Sequence, residues 1–516
     1  MKIVQRQAVL LLIAAFVLAP GSAFAQKRQG VTTPARSPSN HQEGIPASPR
    51  DLKFPPLNFD PPKRNQYRHV LSNGAVAYLV EDHDLPLINV QTLVRTGEYL
   101  EPEGRDGIAS LTGAQMRAGG TKSKTAEQFD EAADFVAANI SSVIGSTQGT
   151  ASLNVLSKDI DAGFALYFDM LRNPAFQEDR LKLAKSQLIQ QFERRNDRTD
   201  MIEGREWNRL IEGANHFSSR QETKASIDSI TRDDLMQFHD KYYQPAGFIF
   251  AVSGDFKTDE MIAKLESAMS GWASNKMAVP PPPAPDFTPT PGAYVINKSD
   301  VNQSRVSIGH VGALRNSPDS YALSIMNEIL GGGGFTSRIT SRVRSDEGLA
   351  YSAGSSYGLG VYYPGMFRAA FQSKSAGTSQ AIAIVLEEIG KIRTSKVTLE
   401  ELEIAKNYAI EVFPRVFATA GQVAGTFAQD ELTNRPADYW DTYRARVKAV
   451  TGDDVQRVAM KYLQPDKLVI LVVGNIDDVT KGNPDKPQFS FTKIAGGQLK
   501  KLSLPDPLTM RYPDER

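Results

Sequence analysis

The chain has 516 residues and a formal net charge of zero, with 59 Lys plus Arg against 59 Asp plus Glu, 41% hydrophobic residues and no cysteine. A protein that grips nucleic acid through its phosphates carries a basic excess, and a disordered chain pairs low hydrophobicity with high net charge, so neither class describes this molecule. Without cysteine there is no disulfide framework, thiol nucleophile, iron–sulfur cluster or Cys-ligated zinc, and the length suggests about three domains, or two large ones, at roughly 150 residues each.

Residues 1–25 read as a secretory signal: Lys2 and Arg6 give a basic start, Ala8 to Ala19 an apolar run, and Ala23-Phe24-Ala25 a small-x-small cleavage site before Gln26. The run is shorter than the roughly 20 residues a membrane span needs, so the expected product is exported, soluble and periplasmic, with no stable membrane insertion. An uncleaved signal anchor is the alternative. Residues 26–64, rich in Pro, Ser and charge, are expected to form a flexible leader or an arm lying on the body.

Periodic structure then begins. Ala75 to Val80 and Leu87 to Val94 are β-rich runs, with Asn73-Gly74 as a tight-turn dipeptide. Thr125 and Gln128 make a capping box ahead of Phe129, Ala132, Ala133 and Val136, which share one helical face. Between residues 280 and 291 the sequence PPPPAPDFTPTP holds seven prolines and reads as an interdomain linker, spanning about 35–40 Å if extended.

Internal similarity is the strongest signal. TRDDLMQFHDKYYQP followed by FIFAVSG, starting at Thr231, aligns without a gap with TGDDVQRVAMKYLQP followed by LVILVVG, starting at Thr451; 451 − 231 and 474 − 254 both give 220. Each copy predicts a capped helix, a Pro turn and an apolar strand. A fainter pair is GIASLTGAQMRAGG from Gly107 and YALSIMNEILGGGG from Tyr321, both apolar helices ending at glycines. The period is far too long for a solenoid, so this is a domain duplication. The expected fold is α+β: two homologous lobes, each a mixed or antiparallel sheet with helices packed on it, forming half of a clam-shell. The expected boundaries are 65–275 for the first lobe, 276–295 for the linker, 296–485 for the second lobe and 486–516 for a C-terminal tail.

Over about 67–475 the chain resembles the pitrilysin/insulinase-type zinc peptidases, including mitochondrial processing peptidase subunits and their bacterial relatives. The first lobe carries that likeness in LSNGAVAYLVEDHDLPLINVQTLVRTGEYLEPEGRDGIASL, and the second in LGGGGFTSRITSRVRSDEGLAYSAGSSYG. The resemblance implies a zinc site of the form His-x-x-Glu-His on the helix after Gly107. Two imidazoles at i and i+4 share one helical face, and the Glu activates the bound water. Here Ser110, Gly113 and Ala114 hold those positions, and the third, downstream ligand is replaced in Gln190-Gln191, Gln191 standing for it. The six histidines, His41, His69, His83, His216, His239 and His310, offer no i, i+3 or i, i+4 pair and are assigned ordinary turn, surface or hydrogen-bonded roles, and Glu193 a solvated helix charge.

What the resemblance retains is an Arg and a Tyr, at Arg338 and Tyr351. A guanidinium and a phenol can donate hydrogen bonds to the oxyanion that forms on an attacked carbonyl, and losing one such donor costs about 3–4 kcal/mol of transition-state stabilisation. The plainer reading is that Arg338 caps or salt-bridges a helix and Tyr351 packs in a core. Gly331 to Gly334 are expected to give a flexible, close-approach backbone that handles substrate, or else a helix C-cap; a phosphate loop is excluded because no Lys-Ser/Thr follows and a helix precedes.

The expected function is therefore the non-zinc subunit of a heteromeric exported zinc metallopeptidase. This chain carries no cofactor, zinc sits on a homologous partner in a heterodimer, extended peptides are the substrates, and nucleic acid is not a partner. The alternative is a catalytically inactive binding or scaffold protein.

Overall fold

Two six-stranded sheets with matching strand order organise the chain. In the first sheet, β1 (Arg68–Val70), β2 (Val76–Glu81), β3 (Leu87–Val94), β4 (Asn139–Ile144), β5 (Gly149–Leu156) and β6 (Ile249–Gly254) lie in the order β1-β2-β6-β3-β5-β4. The second is built from β7 (Gly292–Asn297), β8 (Gln303–Val311), β10 (Ala350–Tyr357), β12 (Met366–Lys374), β13 (Val469–Gly474) and β14 (Leu499–Lys501), in the order β14-β7-β13-β8-β12-β10. A short parallel pair, β9 (Ala313–Leu314) with β11 (Leu359–Gly360), lies beside it. The computed structural model describes Leu52 and residues 57–273, 278–494, 496 and 498–513. The expected signal segment, most of the leader and His41 lie outside the described residues.

The duplication is visible in the elements. The helices Arg232–Tyr242 and Gly452–Tyr462 start 220 residues apart (452 − 232), and so do β6 and β13 (469 − 249). Both helices open with the same capping box, Thr231 with Asp234 and Thr451 with Asp454, each satisfying backbone N–H groups that a helix start leaves unpaired. The copies differ at one edge. β1 runs antiparallel to β2 from the N-terminal side, whereas β14, from the segment expected to be a tail, runs parallel to β7.

All six residues of β6 and of β13 are buried, which explains why FIFAVSG and LVILVVG are continuous apolar runs rather than alternating ones. One face of each sheet lies under helices of its own half. The other face is covered by a helix from the other half. The helix Ala420–Leu432 sets Val423, Ala424 and Phe427 on Tyr78, Val80, Leu93 and Ile249 of the first sheet. Reciprocally, Thr199–Glu212 sets Ile202, Trp207 and Ile211 on Tyr294, Ile296, Val469 and Leu471 of the second. These two helices start 221 residues apart (420 − 199), within one residue of the repeat.

The described end of the leader lies on the body as an arm, and the proline linker and the C-terminal segment are held as well. Phe59 packs edge-on against Phe413 at 5.7 Å, and the Arg64 guanidinium donates to Tyr78 Oη at 2.7 Å and pairs with Glu431. The proline segment is pinned to the first half: Tyr99 Oη donates to Pro280 O at 3.0 Å, and Phe287 covers Gly213 so closely that a Cβ there would stand 2.7 Å from its ring. Near the C-terminus, Tyr512 donates to Glu206 at 2.9 Å.

Candidate functional site

The helix Ile108–Ala118 is where the family resemblance places a zinc site, and its packing decides what it can hold. It lies directly on β4. A Cβ at Gly113 would stand 2.3 Å from the backbone N of Ile144 and 2.8 Å from the carbonyl carbon of Val143, so the glycine is what lets helix and strand approach. No side chain fits there, let alone a glutamate. Ala114 is exposed and has no donor atom, and Gln191 is exposed on the helix Glu178–Glu193.

Ser110, at the first ligand position, is absorbed into a polar network. Its hydroxyl donates to Glu222 Oε1 at 3.0 Å, Glu222 pairs with Arg195 at 3.5 Å, and the Arg195 guanidinium lies 3.5 Å from the centroid of the Phe192 ring. Among the described residues no group of three or more His, Asp or Glu could hold a metal ion. The residues present do not fit the family's zinc.

Beside this network, Glu101 caps the helix. Its Oε1 accepts the N–H groups of Gly107 at 3.1 Å and Ala109 at 2.9 Å, leaving Oε2 free to carry a proton. Burial, helped by the nearby Glu98 and Asp106 and opposed by those two N–H groups, pushes its pKa up to about 8. A carboxyl with a raised pKa stabilises the fold fully below its unfolded value, near 4.3, and that contribution is lost as pH rises toward about 8. Glu101→Gln is expected to remove this component: melting curves taken from pH 5 to pH 8 should show the wild type losing more stability than the variant. Parallel curves would mean that Glu101 does not titrate in that window.

Four of the described histidines, His83, His216, His239 and His310, have structural partners. His83 pairs with Asp255 at 2.8 Å. His216, buried, hydrogen-bonds Ser218 at 2.7 Å and donates from Nε2 to Pro283 O at 3.1 Å, fastening the proline segment. His239 stacks on Tyr243 and donates to Leu171 O at 2.8 Å. His310 donates from Nδ1 to Val311 O at 2.7 Å and accepts the Gln464 N–H at Nε2.

In the second half, the helix Ser320–Asn327 widens into a π-type turn, Glu328–Gly332, in which the Gly333 N–H reaches back to Glu328 O at 2.9 Å. Gly331 is a close approach, since a Cβ there would stand 2.4 Å from Ser355 N of β10, and Gly334 has φ +57 in open space. Arg338 follows on the next turn and makes a bidentate pair with Glu401, Nε to Oε1 at 2.6 Å and Nη2 to Oε2 at 2.9 Å. Burial works against ionisation of Glu401, but the Arg338 and Thr398 hydrogen bonds outweigh it and hold its carboxyl below the usual range. Tyr351 is 84% exposed on β10, an edge strand, so it is not a core residue. Sequence reasoning missed what flanks it: Arg344 lies 4.7 Å from the Tyr351 ring and 4.4 Å from that of Phe335, itself 66% exposed. No spacing rule points to such a stack.

The structure thus brings Arg338, Tyr351 and the four glycines onto one set of elements in the second half, while Ser110, Gly113, Ala114 and Gln191 lie in the first. Arg338 is engaged by Glu401, whereas the Tyr351 hydroxyl, on a ring that Arg344 covers, makes no hydrogen bond among the described residues.

The match to a known family begins in the last elements of the first half and runs into the second. Residues 229–408 match the family model described as "Peptidase M16 inactive domain", which begins downstream of the helix Ile108–Ala118. The chain is 24% identical over 369 residues to an uncharacterized zinc protease of Rickettsia bellii, covering 66% of this chain and 86% of that protein. It is 22% identical over 398 residues to the non-peptidase homolog YmxG of Helicobacter pylori, covering 77% and 90%. Among solved structures, an M16 inactive domain from Pseudomonas fluorescens superposes with a TM-score of 0.69 at 23% identity, over 79% of this chain and 97% of that one. The periplasmic protease PqqL of Escherichia coli gives 0.66 at 15% identity, over 82% and 48%. At these identities the solved structures establish the shared fold.

Proposed function

We propose that this chain is a member of the M16 peptidase family that, lacking that family's zinc ligands, acts as the non-zinc subunit of a heteromeric exported peptidase. The observation that carries this reading is Gly113. The general-base position is closed by the backbone of β4, so the family's zinc chemistry, in an assembly containing this chain, would take its metal and base from another chain. The partner is a homologous chain with an intact His-x-x-Glu-His, joined as an approximately two-fold heterodimer that encloses extended peptides. Residues 1–25 supply the export signal.

Tyr351 is the group free to donate to an oxyanion across the chamber, and Arg338 does so once it exchanges Glu401 for substrate. Tyr351→Phe and Arg338→Ala are expected to leave the heterodimer assembled and to lower its turnover by about 10²–10³. Unchanged turnover in both variants would remove the donor role. One observation favours the alternative, a peptidase-like scaffold: the Arg338–Glu401 pair, which is complete within this chain.

Mild affinity purification of the chain from its native cell, with zinc measured per mole of each protein recovered, separates the two. Zinc arriving with a second chain of similar size supports the split-site peptidase. The chain alone and metal-free supports the scaffold, and zinc bound by the chain itself contradicts both.

A further inference from the structure

A cavity of about 370 Å³ opens in the second half between the helices Ser320–Asn327, Leu399–Val412 and Tyr439–Ala449. That volume falls within the range of small-ligand sites, about 300–1,000 Å³. Its walls include the rings of Tyr321, Tyr408, Phe413 and Tyr443, and Phe413 and Tyr443 hold each other by stacking at 5.0 Å. The hydroxyls of Tyr321, Tyr408 and Tyr443 make no hydrogen bond to any described residue. Burial first, then neighbouring tyrosines and Glu328, push the Tyr443 pKa up to about 12.

Glu328 lines the same cavity, and its carboxyl has neither a hydrogen bond nor an ion pair among the described residues. Burial alone raises its pKa, with no cation opposing the shift. Of the two arginines of the lining, Arg435 pairs with Asp430 at 2.7 Å and Arg315 donates to Thr433 Oγ1 at 3.0 Å and Thr433 O at 2.6 Å; neither forms an ion pair with Glu328. The carboxyl lies against the glycine turn, its oxygens 3.2 Å from where a Cβ at Gly332 or Gly333 would stand. Side chains at those glycines would crowd it.

A half-buried carboxyl without a cation partner is disfavoured in its ionised form, and aromatic faces attract positive charge through the ring quadrupole. An anionic guest meets repulsion from Glu328, and a neutral one leaves its charge uncompensated. We propose that this cavity binds an organic cation on an apolar body, an alkyl- or arylalkylammonium group that pairs with Glu328 while its hydrocarbon lies among Tyr321, Phe413 and Tyr443. The site belongs to this chain alone and does not rest on the peptidase reading.

Titration calorimetry on the full chain tests it with three probes: phenethylammonium, its neutral counterpart 2-phenylethanol, and N-acetyl-lysine methylamide. Phenethylammonium is expected to bind at least about tenfold more tightly than the alcohol. Glu328→Gln should erase that difference and leave the alcohol unchanged, while Tyr408→Ala, at a position already 56% exposed, should weaken both probes. Equal binding of cation and alcohol, no binding of the cation, or a preference that survives in Glu328→Gln overturns the proposal. Binding of the lysine derivative identifies a peptide side chain as the source of the cation; phenethylammonium binding without it identifies a free amine.

Discussion

Trp207→Ala is expected to lower the unfolding free energy by about 3–5 kcal/mol, the usual cost of emptying a buried tryptophan site. The ring is 1% exposed, its indole N–H donates to Met366 Sδ at 3.1 Å, and the Arg368 guanidinium lies 5.5 Å from its centroid. One turn earlier on the same helix, Glu203 accepts two 2.6 Å hydrogen bonds from Arg368. Trp207 comes from the first half, yet the residues it packs on, including Ile296 and Leu471, belong to the second sheet. The substitution therefore weakens the fastening between halves rather than the core of either. Phe427→Ala, on the reciprocal helix, should cost about as much, and because the two exchanged clusters are separate the losses should add within about 0.5 kcal/mol. Denaturant midpoints of both singles and the double measure this. A loss below about 1 kcal/mol for Trp207→Ala would show that the exchanged helix is not what joins the sheets.

That exchange marks the limit of what the sequence makes legible. The repeat register, the capping boxes at Thr231 and Thr451, and the buried strands β6 and β13 can all be read from local chemistry, because caps and continuous apolar runs depend on neighbours a few residues away. Which sheet the helix Thr199–Glu212 covers is not local. Its apolar stripe would suit either sheet, and only the assembled chain selects the second. The same holds at the candidate site. The missing zinc motif is plain at Ser110, Gly113 and Ala114, but the partner of Arg338 lies 63 residues downstream at Glu401, with no spacing to announce it. The proline segment reads as a semi-rigid interdomain linker because its composition sets stiffness; its anchors, Tyr99, His216 and Gly213, are set by tertiary contact.

Reinstalling the motif by Ser110→His, Gly113→Glu and Ala114→His is expected to give a chain that binds no zinc and is less stable than the wild type. The decisive step is Gly113, and Gly113→Ala isolates it. Replacing a helical glycine by alanine ordinarily gains about 1 kcal/mol from helix propensity. Here the added Cβ meets backbone atoms of Ile144 and Val143 at 2.3 and 2.8 Å, and a β4 backbone paired along its length with β5 cannot swing aside as a flexible side chain would. Overpacking of that kind typically costs 1–3 kcal/mol and occasionally more, so for a clash this deep the loss outweighs the gain, and a glutamate deepens it. Nor would the two new histidines suffice, because the third position is the exposed, neutral Gln191. Zinc per mole of chain, together with the denaturant midpoints of the single and triple variants, tests the argument. A triple variant that takes up one zinc at wild-type stability would mean that helix and strand can separate, and that the loss of the ligands rather than the packing of β4 is what keeps this site without metal.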